Sequence, residues 1–380
     1  MNKEIKYIGF YDFPDSKIKR VSNLAATNKM DYICEAIHES GINVHLISPS
    51  WTTENQNSGK FLKQTTINIT KWKKITYCPS FNTKNKLTRN IKIIFSLIWL
   101  FCWLVINIKK NEKILMYHVP WLSIPVRWAR NIKKFKLILE VEEIYGDVSV
   151  IHPYFYTLEK KLIAAADAYL FSTDLLADKF GKTKPFVVIY GAYKTYPQLS
   201  SPPDDGKIHL LYAGIIDTHK AGAFNAIEAA RLLSDKYVLH IIGFGNISLL
   251  EEKIKEVNKL NGCKVSYDGI FSGEDYVKFC QTCHIGLSTQ NMEGKYLASS
   301  FPSKILSYLG MGLNVVSGRI ECVSSSKIGN IINYYDDTNY QNITDAIKGC
   351  RISSPDEKIT LIIKLNDEFV KNINMLLLNK

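Results

Sequence analysis

Residues 296–317 read YLASSFPSKILSYLGMGLNVVS, and the elements this stretch encodes decide the class of the whole chain. Proline is tolerated in a first helical turn, where its missing N–H would be unbonded anyway, so the sequence predicts a helix opening at Phe301 or Pro302. Ile305, Leu306 and Leu309 then share one face. Gly312 suits a left-handed stop, and Leu313 with the β-branched Val315 and Val316 reads as a short buried strand. The backbone N–H groups of Ser303 and Lys304 would point out of the helix start beside the Lys304 ammonium, an arrangement suited to a diphosphate. Taken alone, the same residues would also serve as an ordinary β-α-β segment of a Rossmann-like core.

This stretch resembles the nucleotide-diphosphate-binding segment of GT-B glycosyltransferases, especially family 4 and the bacterial polysaccharide enzymes near it, which often carry the form SSFPSKIxxYLxxGxxVV. The resemblance covers nearly the whole chain and is specific mainly over residues 212–317. It implies an α/β chain of the GT-B fold, two Rossmann-like domains facing a central cleft. It also implies a nucleoside-diphosphate-sugar donor on the C-terminal domain and an acceptor on the N-terminal one. In the better-known members two glutamates stand eight positions apart; counted back from Gly312, those positions hold Ser299 and Ser307. A serine hydroxyl still bonds a ribose but supplies no charge.

Further from the motif, 380 residues exceed the size at which one core keeps growing, so two domains are expected. A hydrophobic content of 46% marks a globular chain. The eight cysteines follow no regular framework and no secretory signal precedes Tyr7, which points to a reducing cytoplasm. Cys280 and Cys283 form a lone CxxC without a second ligand pair, which suits two apolar residues on a helix better than a metal site. The net charge of +12 lies entirely in the first half: residues 1–190 hold 28 Lys and Arg against 16 Asp and Glu, and the remainder balance at 20 each. Such a half suggests an anionic lipid surface or a phosphate-bearing acceptor, and no nucleic-acid motif accompanies it.

The chain opens as β-α-β, with a strand at 6–13, a helix at 28–40 and a strand at 43–49, without GxGxxG. By the resemblance its first loop faces the acceptor, making Arg20, Asn23 and Lys29 candidate contacts. The run IIFSLIWLFCWLVINI, 93–108, follows a basic, aromatic stretch. It is shorter than a span needs and reads as a core helix or one lying at a membrane face, its lysine flanks and Trp99 and Trp103 favouring the interface. At the carboxyl end of the strand 135–141 stand Glu142, Glu143 and Asp147, where ligands of open α/β sheets sit, so Glu143 and Asp147 are candidate acceptor-orienting or general-base groups. His118 and His152 border them and read as structural.

A Pro-, Ser- and Asp-rich linker at 191–207 separates domain 1–190 from domain 208–354, and 355–380 is a helical tail expected to cross back to the first domain. In the second domain Gly214 and Gly222 allow tight turns near a ligand. The resemblance assigns Lys220 to the donor phosphates, whereas Ile215 replaces the family's arginine, leaving its task to His219 or Lys304. Gly243, in GFGN, would lie close to the donor, and Asn291, Glu293 and Lys295 would face its sugar.

The resemblance thus implies a probable UDP-sugar donor, no cofactor and no metal. It places a retaining enzyme of surface polysaccharide synthesis, O-antigen or capsule, peripherally at the inner face of the plasma membrane. Its expected partners are a glycan or lipid-linked acceptor and an anionic membrane surface, not nucleic acid. A nucleotide-sugar epimerase of the same fold, or a non-catalytic binding module, stays open.

Overall fold

A computed structural model describes residues 3–14, 16–53, 61–83, 86–148, 152–293, 297 and 299–378. The chain divides into two compact units, residues 1–190 with 368–380, and residues 191–367.

The first unit contains β1 (Glu4–Ile8), β2 (Asn43–Ser48), β3 (Thr65–Asn68), β4 (Lys73–Tyr77), β5 (Lys113–Tyr117), β6 (Lys136–Val141), β7 (Ala168–Phe171) and β8 (Phe186–Val188). They make one eight-stranded sheet in the order β3-β4-β2-β1-β5-β6-β7-β8. Only β3 and β4 pair antiparallel. Helices α1 (Leu24–Glu39), α2 (Lys86–Asn107), α3 (Ser123–Lys133), α4 (Tyr145–Val148), α5 (Pro153–Ala165) and α6 (Asp174–Phe180) connect the strands. One buried cluster joins Leu100, Trp103 and Leu104 of α2 to Val126 of α3, Leu162 of α5 and Ile114, Met116, Leu137 and Leu139 of the sheet.

The second unit holds β9 (Ile208–Ala213), β10 (Tyr237–Ile242), β11 (Lys264–Gly269), β12 (Ile285–Ser288), β13 (Asn314–Gly318) and β14 (Ile332–Tyr335). All are parallel, in the order β11-β10-β9-β12-β13-β14. Read from its own first strand, this is the 3-2-1-4-5-6 order of a Rossmann sheet, which reverses between β9 and β12. Its helices are α7 (Gly222–Ala230), α8 (Ile247–Val257), α9 (Gly273–Gln281), α10 (Ser303–Gly310), α11 (Glu321–Ser324) and α12 (Tyr340–Gly349). The last helix, α13 (Pro355–Leu378), is continuous through the point where the chain passes from the second unit to the first.

Several elements differ from the sequence reading. α10 starts at Ser303, because Pro302 is extended (φ −70°, ψ 94°) and stands as its N-cap. Gly312 does take the left-handed conformation (φ 85°), and a Cβ there would lie 2.6 Å from Pro355. α1 begins four residues earlier than expected because the Asn23 side chain caps it, accepting from Ala25 and Ala26 N–H. The hairpin β3–β4 lies in a stretch read only for its charge. The run at 93–108 belongs to a 22-residue helix, α2, long and apolar enough by composition to cross a membrane. Its inner face is nonetheless packed in the core while Ile91, Ile94, Ile98 and Ile106 are exposed.

Candidate anion-binding site at the sheet switch point

Strand order reverses between β9 and β12, and the loops following these two strands lie at the carboxyl ends of the sheet, where ligands of open α/β folds usually bind. The first loop starts at Gly214, whose φ of 153° no side chain adopts easily. Gly214 N–H donates to Ile242 O, and a Cβ on Gly243 would fall 1.9 Å from Gly214 O. Gly243 therefore lets two backbones touch, a packing role that accounts for its glycine without a ligand. A Cβ on Gly245 would likewise meet Ile216 O at 2.1 Å.

The second loop is stitched to the first. Asn291 N–H donates to Lys220 O at 2.9 Å and its Nδ2 to His219 O at 3.1 Å. Thr289 Oγ1 donates to Gly222 O at 2.6 Å, and Asn225 Nδ2 donates to Thr289 O at 2.9 Å. Asn291 thus positions the Lys220 loop. Glu293 is exposed, and Lys295 lies outside the described residues.

α10 enters between these loops. Its start carries no side-chain cap, so the N–H groups of Ser303 and Lys304 face outward from a positive helix end. The helix is anchored by Tyr308, fully buried, whose hydroxyl accepts from Ala213 N–H at 2.9 Å while its ring lies across Gly286 of β12. This fixes Lys304, half-buried, with Nζ 4.1 Å above the centre of the Tyr212 ring and 3.3 Å from where a Cβ of Gly214 would be. Among the described residues no carboxylate pairs with it within ion-pair distance. Burial holds its pKa down to about 8, with Lys220 adding repulsion and Asp217 pulling the other way. Lys220 itself is exposed, its N–H fixed by Asp217 Oδ1 at 2.6 Å.

The structure therefore brings Gly214, Lys220, Ser303 and Lys304 to one switch point. Ser299 is buried, and Ser307 is half-buried on α10. Tyr212, the platform under Lys304, escaped the sequence reading because it looks like any apolar strand residue. What the cluster offers chemically is attraction for an anion: the Lys220 and half-buried Lys304 ammonium groups and the uncapped N–H groups of α10 lie on these loops, with Asp217 the nearby carboxylate that partly offsets them.

In the first unit the candidate acids follow β6. Glu143 and Asp147 are half-buried there, Asp147 on α4. Glu142 is held by the Lys29 ammonium at 2.6 Å. Glu140, fully buried, accepts from Tyr7 OH, and burial first, then Glu142, raises its pKa well above the usual carboxylate range. The expected acceptor contacts all have partners within the unit. Asn23 caps α1, Lys29 donates also to Ile189 O, and the buried Arg20 donates to Ser50 O and Cys78 O beneath Tyr77. His118 is buried 3.5 Å from Glu159, its pKa pushed down to about 4 by burial. His152 caps α5 through Nδ1. Among the described residues no three His, Cys, Asp or Glu side chains converge as a metal site would require.

No family model matches this chain, and no curated protein matches it. Solved structures do. The lipopolysaccharide outer core galactosyltransferase WaaB, in its apo form, superposes with a TM-score of 0.65 at 15% identity, covering 98% of each chain. A glycosyltransferase from Rickettsia africae gives 0.64 at 11% identity over 100% of this chain and 99% of the other. The pneumococcal O-GlcNAc transferase GtfA, in complex with UDP and GlcNAc, gives 0.62 at 10% identity over the whole of both chains. The fold is the GT-B fold of these structures.

Proposed function

We propose that the chain is a glycosyltransferase moving a sugar from a nucleoside diphosphate, by preference UDP, to a glycan or lipid-linked acceptor in surface polysaccharide biosynthesis, O-antigen or capsule. The observation that carries this reading is the half-buried Lys304 ammonium, which has no ion-pair partner among the described residues, at the uncapped start of α10 against Gly214. The UDP bound to GtfA supports the choice of base.

Cleavage of the anomeric C–O bond leaves negative charge on the departing diphosphate. Groups fixed beside that charge favour the transition state over the bound donor. Lys304 and Lys220 supply it with cations, and Ser303 and Lys304 N–H with donors, so the reading needs neither metal nor cofactor. Ser299 and Ser307 are proposed for the ribose. For a retaining course the leaving phosphate oxygen accepts the acceptor hydroxyl proton as the new glycosidic bond forms. An inverting course would instead require a carboxylate base, with Glu143 and Asp147 the candidates.

Thermal unfolding with UDP, GDP, ADP or CMP in EDTA tests the donor site. A ligand at a hundred times its dissociation constant adds about 2.7 kcal/mol of stability, so UDP should give a clear upward shift. No shift with any nucleotide would overturn the site and favour a non-catalytic module. Release of modified nucleotide sugar without acceptor would mark an epimerase. With donor and acceptor in hand, Lys304→Ala and Lys220→Ala should each lower turnover about a hundred- to a thousandfold in folded protein.

A further inference from the structure

Between Lys86 and Leu139 the chain carries eleven Lys and Arg and a single acid, Glu112, which is ion-paired to Lys6 at 2.5 Å. This segment contains α2 and α3, which pack against one another. On α2 the packed face holds Lys92, Ser96, Leu100, Trp103 and Leu104. The opposite face is a continuous apolar stripe at helical spacing, with Leu87, Ile91, Ile94, Ile98 and Ile106 exposed at 70%, 50%, 57%, 55% and 76%. Neighbouring α3 exposes Trp128 and Ile132 at 61% and 58%. Exposed lysines stand at both ends of the stripe, Lys86 at its start and Lys109 and Lys110 just beyond its end.

We infer that this outer face of α2, with Trp128 and Ile132, is a docking surface for an anionic lipid bilayer, the helix lying along the headgroup boundary rather than crossing it. Crossing is ruled out by the inner face, since Leu100, Trp103 and Leu104 belong to the buried cluster of the first unit. A protein partner could match the apolar stripe. Lys92, Lys113, Arg130 and Lys136 are engaged within the fold, and the exposed Lys86, Lys109 and Lys110 at the two ends select a partner that is apolar along a line and negative on either side. An acidic bilayer surface has that profile. The inference uses nothing of the donor site and stands or falls independently of it.

The test is cosedimentation of the full chain with vesicles of phosphatidylglycerol and phosphatidylcholine in equal parts, against vesicles of phosphatidylcholine alone. Binding to the mixed vesicles is expected, with little to the neutral ones. The double variant Ile94→Ser/Ile98→Ser, altered only at exposed positions, should bind the mixed vesicles at least about tenfold more weakly and still show the UDP shift of the parent chain. Lys109→Glu/Lys110→Glu should lose about tenfold or more, with a flatter salt dependence. Absence of binding to anionic vesicles at low salt overturns the inference, as does unchanged binding of the serine variant. Ultracentrifugation supplies the rival outcome: a dimer abolished by the serine substitutions, in a chain that ignores lipid, would assign the face to a second copy.

Discussion

At the scale of single residues, Lys304 couples stability to function. Its folded pKa of about 8 lies below the ordinary 10.5, so the folded state binds fewer protons than the unfolded chain between those values. The penalty is therefore fully present below pH 8 and is relieved as pH rises toward 10.5. Lys304→Met should consequently be more stable at pH 7, by ~1–3 kcal/mol in denaturant titrations, while losing nucleotide binding. A less stable methionine variant would mean that the ammonium has a structural partner. Calorimetry of UDP binding should show affinity falling from pH 7 to pH 9 as the ammonium deprotonates, and Lys304→Arg should flatten that profile. The helix that carries Ser303 and Lys304 was legible in the sequence because proline and glycine punctuate it on both sides. Arg20 and Lys29 were read as candidate ligand contacts, but the sequence did not show that they already bond Ser50, Cys78, Glu142 and Ile189, which come from distant strands and loops. Local sequence marks a polar residue but not whether the fold has already occupied it.

At the scale of elements, the site depends on two contacts, one from helix to strand and one between the turns that follow β9 and β10. Tyr308 ties α10 to β9 through Ala213 N–H, so Tyr308→Phe strands a buried donor and should cost ~1–3 kcal/mol in chemical denaturation, with weaker UDP binding. A change in binding without loss of stability would place the hydroxyl at the ligand instead. Gly243→Ala must push Gly214 away and should cost ~2–4 kcal/mol in the same assay. Most strands of both sheets were readable because buried parallel strands are apolar runs bounded by polar loops. β3, β4 and β14 were not read as strands; β3 is the exposed edge of its sheet, with all four residues open to solvent. α2 was readable as apolar but not as one-sided. Hydrophobicity all round conceals which face the core takes, and only packing against α3 and the sheet resolves it.

At the scale of the molecule, two Rossmann-like units were expected from length and from the composition of residues 191–207, and a tail returning to the first from the resemblance; that α13 divides at residue 368 follows from contacts that no local pattern encodes. Every residue proposed for the donor lies in the second unit. Hydrogen exchange with UDP should therefore slow amides in peptides covering 213–222 and 301–309 and leave β1 to β8 unaffected. Slowing centred on the first unit would move the nucleotide site there. The order in which the chain is made gives the core of that first unit a further consequence. Among the described fully buried residues of the cluster around Leu100, Trp103 and Leu104, Ile8 and Ile47 precede α2, with Phe10 packed beside them, and the larger number come later in the sequence. As the polypeptide leaves the ribosome, α2 is apolar on every side until β5, α3 and β6 have emerged to cover its inner face. The nascent protein is thus at its stickiest about a third of the way through synthesis, when a nearby bilayer or chaperone would find both faces of the helix bare.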